Sequence, residues 1–320
     1  MNLSAARMRT HVLSTTALLL AGAVALSGCS SSADGSGSVK VTAAFYPLQY
    51  AAQRVAGDHA SVENLTKPGA EPHDLELSIK EIADVSDADI VIYEKGLQAS
   101  VDEAVGENSG GEIVDAAEVA GLDPFGHDGH DDADHSGAEA GSEDDHDSSE
   151  LDPHFWADPL KLAAVGDAIA DALAKADPDN EADYRANADS LRADLVALDK
   201  EYAAGLSGCA RDTIVVSHDA FGYLAKYGLY LEPIAGLSPE AEPTPADLAR
   251  LESLIKTEGI TTVFSETLVS PKMSETLAND LGIETAVLDP IEGLSDQTAD
   301  EDYLSLMRAN LSALQKANDC

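Results

Sequence analysis

The chain has only three cysteines, 19 Lys and Arg against 59 Asp and Glu, and no long apolar run beyond its N-terminal end. Each shortage excludes something. A formal net charge of −40 leaves no basic surface for nucleic acid and no electrostatic draw toward anionic lipid. Acidity of this degree aids solubility and gathers cations near the surface, but it identifies no particular cation. The one apolar stretch, Ala17 to Leu26, is half of the roughly 20 residues that cross a bilayer, so no permanent transmembrane helix is expected. No His-Glu-x-x-His motif occurs, which removes the usual sequence cue for a zinc hydrolase.

The N-terminal end carries Arg7 and Arg9, the short apolar stretch, and then Leu26-Ser27-Gly28-Cys29. This is the layout of a secretory signal peptide over residues 1–28. Leu-Ser-Gly-Cys resembles the bacterial lipobox, which implies lipidation of Cys29; an ordinary signal peptide that happens to contain a Cys is the alternative. Residues 29–38, rich in Ser and Gly, read as a flexible tether. The mature protein is therefore expected outside the cytoplasm, lipid-anchored at the outer face of a bacterial cytoplasmic membrane or periplasmic. Cys209 and Cys320 remain. An even pair in an exported chain points to a disulfide that pins the last helix to the start of the second half. Two free thiols are the alternative, and metal ligation is disfavoured because neither Cys lies near a histidine.

What the chain does have is an alternation of strand and helix signals, which implies parallel sheets in an α/β fold. Strands are expected from Val39, over 61–65, 89–93 and near 111–114, then over 213–217, 229–233, 262–265 and 285–288. Helices fall between them, and Ser78 with Glu81 forms a capping box at the start of one. A helix from about Asn180 to Leu206 carries Tyr184, Leu191, Leu195, Leu198 and Tyr202 at helical spacing, and it reaches about 40 Å as a rigid spine. The expected organisation is an N-terminal lobe over 39–178, a linking helix over 179–208 and a C-terminal lobe over 209–320. No sequence repeat relates the halves. Residues 126–150 break every periodicity with Gly, Ser, Asp, Glu and His, as a disordered acidic insertion would.

Seven of the nine histidines fall in two settings. His127, His130, His135 and His146 lie in the acidic insertion, which has no Lys or Arg between 127 and 147. It reads as a weak multivalent zinc collector, or as a solvated insertion without that role. His73, His154 and His218 lie at expected loop ends, where ligands bind in open α/β sheets. Asp289 directly follows the strand Thr-Ala-Val-Leu. Two of these four come from each half, so a crevice between halves brings them together. Three imidazoles and a carboxylate complete a tetrahedral zinc shell. Glu266 competes as fourth ligand or as an acceptor that orients an imidazole, and Glu71 is a weaker competitor.

His73 in PGAEPHDLELS, His154 in DPHFWADP, His218 in SHDAFGYLAKYGL, the stretch PTPADLARLESLIKTEGITTVFSET and Asp289 in LDP resemble the metal-binding solute receptors of bacterial ABC importers, most of all their zinc-uptake, ZnuA-like branch. The resemblance spans about residues 39–318. It implies two Rossmann-like lobes joined by a long rigid helix, metal in the cleft between them, and delivery to an ABC permease. The manganese branch typically has a carboxylate where this chain has His218, and a histidine-rich acidic loop is typical of the zinc branch. Members differ in the fourth ligand.

Donor chemistry points away from manganese, which prefers more oxygen ligands, because imidazole suits zinc, copper and nickel; among these, selectivity rests on geometry and availability. The expected protein is a monomeric Zn2+ receptor for import and not an enzyme, since a closed shell of three His and one carboxylate leaves no open position for catalysis. A manganese or other divalent-metal receptor of the same fold is one alternative. A surface adhesin or metal-buffering lipoprotein, for which the anchor and acidic insertion suffice, is another.

Overall fold

A computed structural model describes residues 38–124 and 151–320. The signal-like segment with Cys29, and the acidic segment with His127, His130, His135 and His146, lie outside the described residues. The first lobe runs β1 (Val39–Ala43), α1 (Tyr46–Ala56), β2 (Ala60–Asn64), α2 (Ile79–Asp87), β3 (Ile90–Tyr93), α3 (Ala99–Asn108), β4 (Glu112–Asp115) and α4 (Ala116–Ala120). Helices α5 (Pro159–Ala176) and α6 (Glu181–Gly205) follow. The second lobe runs β5 (Thr213–Val216), β6 (Tyr230–Pro233), α7 (Pro245–Glu258), β7 (Thr262–Ser265), α8 (Lys272–Leu281), β8 (Glu284–Val287) and α9 (Tyr303–Asn318).

Every strand pairing is parallel, and the two sheets share one pattern: β2-β1-β3-β4 and β6-β5-β7-β8. Burial follows position in the sheet. The inner strands β3 (Ile-Val-Ile-Tyr) and β7 (Thr-Val-Phe-Ser) are buried at every residue, as a parallel strand covered on both faces must be. Edge strand β2 alternates, and edge strand β8 is mostly exposed. The chain therefore restates one topology twice without repeating its sequence.

The 25-residue α6 supplies the stiff element expected between the halves and spans about 37 Å. Its buried residues Tyr184, Ala188, Leu191, Leu195, Leu198 and Tyr202 form a single stripe. That stripe packs on α5, α1 and α9. Gly166 of α5 permits the close approach, because a Cβ there would lie 3.0 Å from Leu191 Cδ2. Beyond α6, a disulfide joins Cys209 to Cys320. Ala210 and Arg211 donate backbone hydrogen bonds to Asn318 O beside it, which ties the end of α9 to the start of the second lobe.

Residues 222–227 form a 3-10 helix ended by Gly228 at φ 86. Helix α1 starts at Tyr46, with Pro47 in its first turn, where a missing N–H costs nothing. Among the described residues, no helix is long and apolar enough to cross a membrane.

Candidate metal centre

Four segments carry side chains into the space between the lobes, three of them following strands. After β2, Lys67-Pro68-Gly69 turns the chain, and Gly69 N donates 2.7 Å to Leu294 O of the second lobe. The loop is then held from behind by buried Gln98, whose Nε2 donates 3.1 Å to both Thr66 Oγ1 and Pro72 O. His73 follows directly. Its side chain is 13 % exposed, while those of His154 and His218 are fully buried. It also borders a cavity of about 650 Å³, lined in part by Lys95, Leu97, Leu122 and Pro153.

His154 precedes the 3-10 turn Phe155–Ala157, and Asp158 then caps α5 through Leu160 N. Asp152 fixes it twice: Oδ1 accepts from His154 N and faces His154 Nδ1, both at 2.9 Å. His218 follows β5. Its Nδ1 lies 2.5 Å from Glu266 Oε1 at the end of β7, and the Ser217 hydroxyl donates to the same oxygen. With a carboxylate taking each Nδ1 proton, the Nε2 lone pairs of His154 and His218 point inward.

The fourth segment follows β8. Asp289 is bracketed by buried Asn310, which accepts from Asp289 N at 2.9 Å and donates to Asp289 O at 2.6 Å. Ile291 adopts φ 61, a left-handed conformation rare for a β-branched residue, and its N–H donates 2.8 Å to Asp289 Oδ1. The reversal turns Glu292, 1 % exposed, into the cleft.

Glu292 Oε1 lies 3.5 Å from His73 Nε2, 3.5 Å from His154 Nε2 and 3.4 Å from His218 Nε2. His73 Nε2 and His154 Nε2 are 3.4 Å apart, and one donor atom from each residue falls within 4.8 Å of all the others. Donors on a regular tetrahedron around zinc, at about 2.0–2.2 Å from the ion, stand about 3.3–3.6 Å from one another. His218 Nε2 and Glu292 Oε1 are buried without a hydrogen-bond partner. Buried polar atoms left so are costly unless a cation or protons sit among them.

The electrostatics describe a proton-holding cluster that a cation can take over. Burial opposes the His218 imidazolium, but the Glu266 and Glu292 carboxylates outweigh it and push its pKa up to about 10. Burial likewise opposes a charged His154, and Asp152 and Glu292 raise its pKa nonetheless. Burial also opposes an ionised Glu292, yet the three imidazoles hold its carboxyl well below the usual carboxylate range.

His73, His154 and His218 thus come together from both lobes. Asp289, expected to complete the set, does not join it. Its Oδ1 is occupied by Ile291 N, its Oδ2 accepts from the Thr267 hydroxyl at 2.9 Å, and burial raises its pKa. Asp289 builds the turn that delivers Glu292. Glu266 stands behind His218, as an orienting acceptor would. Glu71 accepts from Asp74 N at 3.2 Å, has its pKa raised by burial, and is outside the group of four. Sequence reasoning missed Glu292 and Asp152. The signal for Glu292 was a carboxylate three residues past the chosen Asp, in Leu-Asp-Pro-Ile-Glu-Gly; for Asp152 it was the Asp two residues before the histidine in Asp-Pro-His.

Known proteins resemble this chain over most of its length. The family model described as zinc-uptake complex component A, periplasmic, matches residues 41–317. The zinc-binding lipoprotein AdcA of Streptococcus pneumoniae is 36 % identical over 310 residues, covering 94 % of this chain and 60 % of the relative. The chain thus spans about 60 % of the length of that relative. The high-affinity zinc uptake system protein ZnuA of Bacillus subtilis is 34 % identical over 311 residues, covering 93 % of each. Among solved structures, the Zn(II)-bound ZnuA-like domain of S. pneumoniae AdcA aligns with a TM-score of 0.72 at 32 % identity, over 89 % of this chain and all of that one. The laminin-binding protein Lmb of Streptococcus agalactiae, described as a bifunctional adhesin and metal transporter, aligns with a TM-score of 0.76 at 28 % identity, over 88 % of this chain and 99 % of that one. The match runs through both sheets, the long helix and the cleft, and the chain belongs to the ZnuA family of zinc-uptake receptors.

Proposed function

We propose that this protein is an extracytoplasmic receptor that captures one Zn2+ between its lobes, through His73, His154, His218 and Glu292, and passes it to an ABC permease. The observation that carries the reading is the 3.4–3.5 Å spacing of Glu292 Oε1 from three imidazole Nε2 atoms. The donor set favours zinc over manganese, which takes more oxygen ligands. Four protein donors fill the tetrahedron, so the site is built to hold an ion and not to activate a water on it. The zinc-binding and zinc-uptake relatives support the same reading. Export follows from the signal-like N-terminus, and Cys29 anchors the mature, monomeric chain to the membrane through lipid.

The test is metal analysis of the purified mature protein, with a competition titration of zinc against manganese. One tightly held zinc per chain, weakened by orders of magnitude in Glu292→Ala and His154→Ala, supports the assignment. Zinc affinity unchanged in both variants rules it out.

A further inference from the structure

Trp156, the only tryptophan in the chain, touches two of the four converging segments at once. It is 1 % exposed and stands edge-on to the His154 ring, with centroids 5.4 Å apart. Its indole Nε1 donates 2.7 Å to Pro290 O, in the turn two residues before Glu292. Its own carbonyl accepts from the Tyr303 hydroxyl at 2.6 Å, and its ring packs edge-on against Phe45 at 4.9 Å. Nearby, the Tyr223 hydroxyl donates 2.8 Å to Asp152 O, which steadies the other side of the His154 segment.

We infer that Trp156 is a positioning residue for metal selectivity: its indole N–H fixes the separation between His154 and Glu292 across the lobes. This rests on the metal-binding reading above. His154 comes from the first lobe and Glu292 from the second, so their 3.5 Å spacing is a property of how the lobes meet. The Glu292 turn is held from its own lobe by Asn310 and Asp289, and from the opposite lobe by this indole. A small tetrahedral ion matches that spacing. Around a cation that prefers six oxygen-rich ligands, neighbouring donors at right angles stand only about 3 Å apart and room must open for two more, so Glu292 has to shift against His154, which strains the bond to Pro290 O. The indole bond therefore penalises the larger shell more than the tetrahedral one, in the way that groups behind metal ligands tune affinity.

The test compares unmodified protein with Trp156→Phe, which keeps an aromatic ring in the pocket but removes the donor and some packing volume. Zinc and manganese affinities are measured by competition titration, zinc release into excess chelator by stopped flow, and the cobalt-substituted protein by its visible spectrum. The expected result is a loss of zinc affinity of about ten- to a hundredfold, the range for such supporting groups. Manganese affinity should change far less, zinc release should speed up, and the tetrahedral cobalt bands should weaken. A purely structural role predicts a lower apo melting temperature with an unchanged zinc-to-manganese ratio, and that result overturns the inference. If Trp156→Phe does not fold, the unmodified protein answers through the hydrogen-bond-sensitive Raman band of its single indole N–H. A stronger indole hydrogen bond with zinc than with manganese supports the inference; equal strength overturns it. Failure of the unmodified protein to bind zinc at all would instead refute the metal-binding reading.

Discussion

Glu266 Oε1 lies 2.5 Å from His218 Nδ1, while His218 Nε2 lies 3.4 Å from Glu292 Oε1, so one imidazole is held between two carboxylates of the second lobe. The outer carboxylate orients the ring and raises its basicity; the inner one shares the cleft with it. This division of labour decides what each acidic residue does when it is replaced.

Glu266→Gln keeps an acceptor near His218 and removes its charge. Zinc affinity should fall by about ten- to a hundredfold, as for other carboxylates behind ligating imidazoles. A competition titration reads this, and an unchanged affinity would show that Glu266 serves only the fold.

Asp289 and Glu292 separate cleanly. Asp289→Asn retains an oxygen for Ile291 N and should cost zinc binding only a few-fold, with some loss of stability from the altered turn. Glu292→Gln removes the charge at the centre of the cluster and should cost much more. The opposite order would return Asp289 to the shell.

Much of this was legible in the chain. Buried strands stand out as short apolar runs, and a histidine immediately after such a run, as at His218, is placed by topology alone. The fourth member of the cluster, its one acidic group, was not legible. Asp289 was the natural choice, because it follows the last strand directly, and nothing in Pro-Ile-Glu announces that Ile291 takes φ 61 and turns Glu292 inward. The role of Asp152 was hidden for a related reason: it depends on which side of the His154 ring faces the cleft, and that is set by tertiary packing. The disulfide was one of two open readings, because sequence does not show that α9 returns to the end of α6.

Zinc binding should release protons. The apo cluster holds His218 near a pKa of about 10 and raises His154, so at neutral pH protons occupy positions that a cation requires. Affinity should therefore rise with pH toward that value and fall in acid, by tenfold per pH unit for each proton displaced. Calorimetry at pH 7, in buffers of differing ionisation enthalpy, should show at least one proton released per zinc; none released would contradict the cluster. For apo stability the sign is opposite. A histidine pKa raised above its unfolded value stabilises fully below about 6.5, and that contribution is lost as pH rises toward about 10.

The Cys209–Cys320 bridge closes a separation of 111 residues. The chain-entropy model gives roughly 4 to 5 kcal/mol as an upper expectation for such a loop. Replacing both residues with Ser should lower the melting temperature markedly and leave zinc affinity within a few-fold, because the bridge joins α6 to α9 and not the cleft. Thermal unfolding and titration of the same sample check both halves of the statement.

Deleting residues 127–147 should leave the fold and the tight site intact. The segment offers almost nothing apolar to bury, and shortening a connection changes closure entropy only slightly. The described residues that flank it lie together: Pro124 and Leu151 form an antiparallel bridge, and Asp152 N donates 2.9 Å to Asp123 O. A short replacement therefore needs to span little distance. What should disappear is additional weak zinc binding by His127, His130, His135 and His146. Calorimetry on the deletion should show one tight event and fewer weak ones. Loss of the tight event would mean that the segment takes part in the primary site, beside the partly exposed His73.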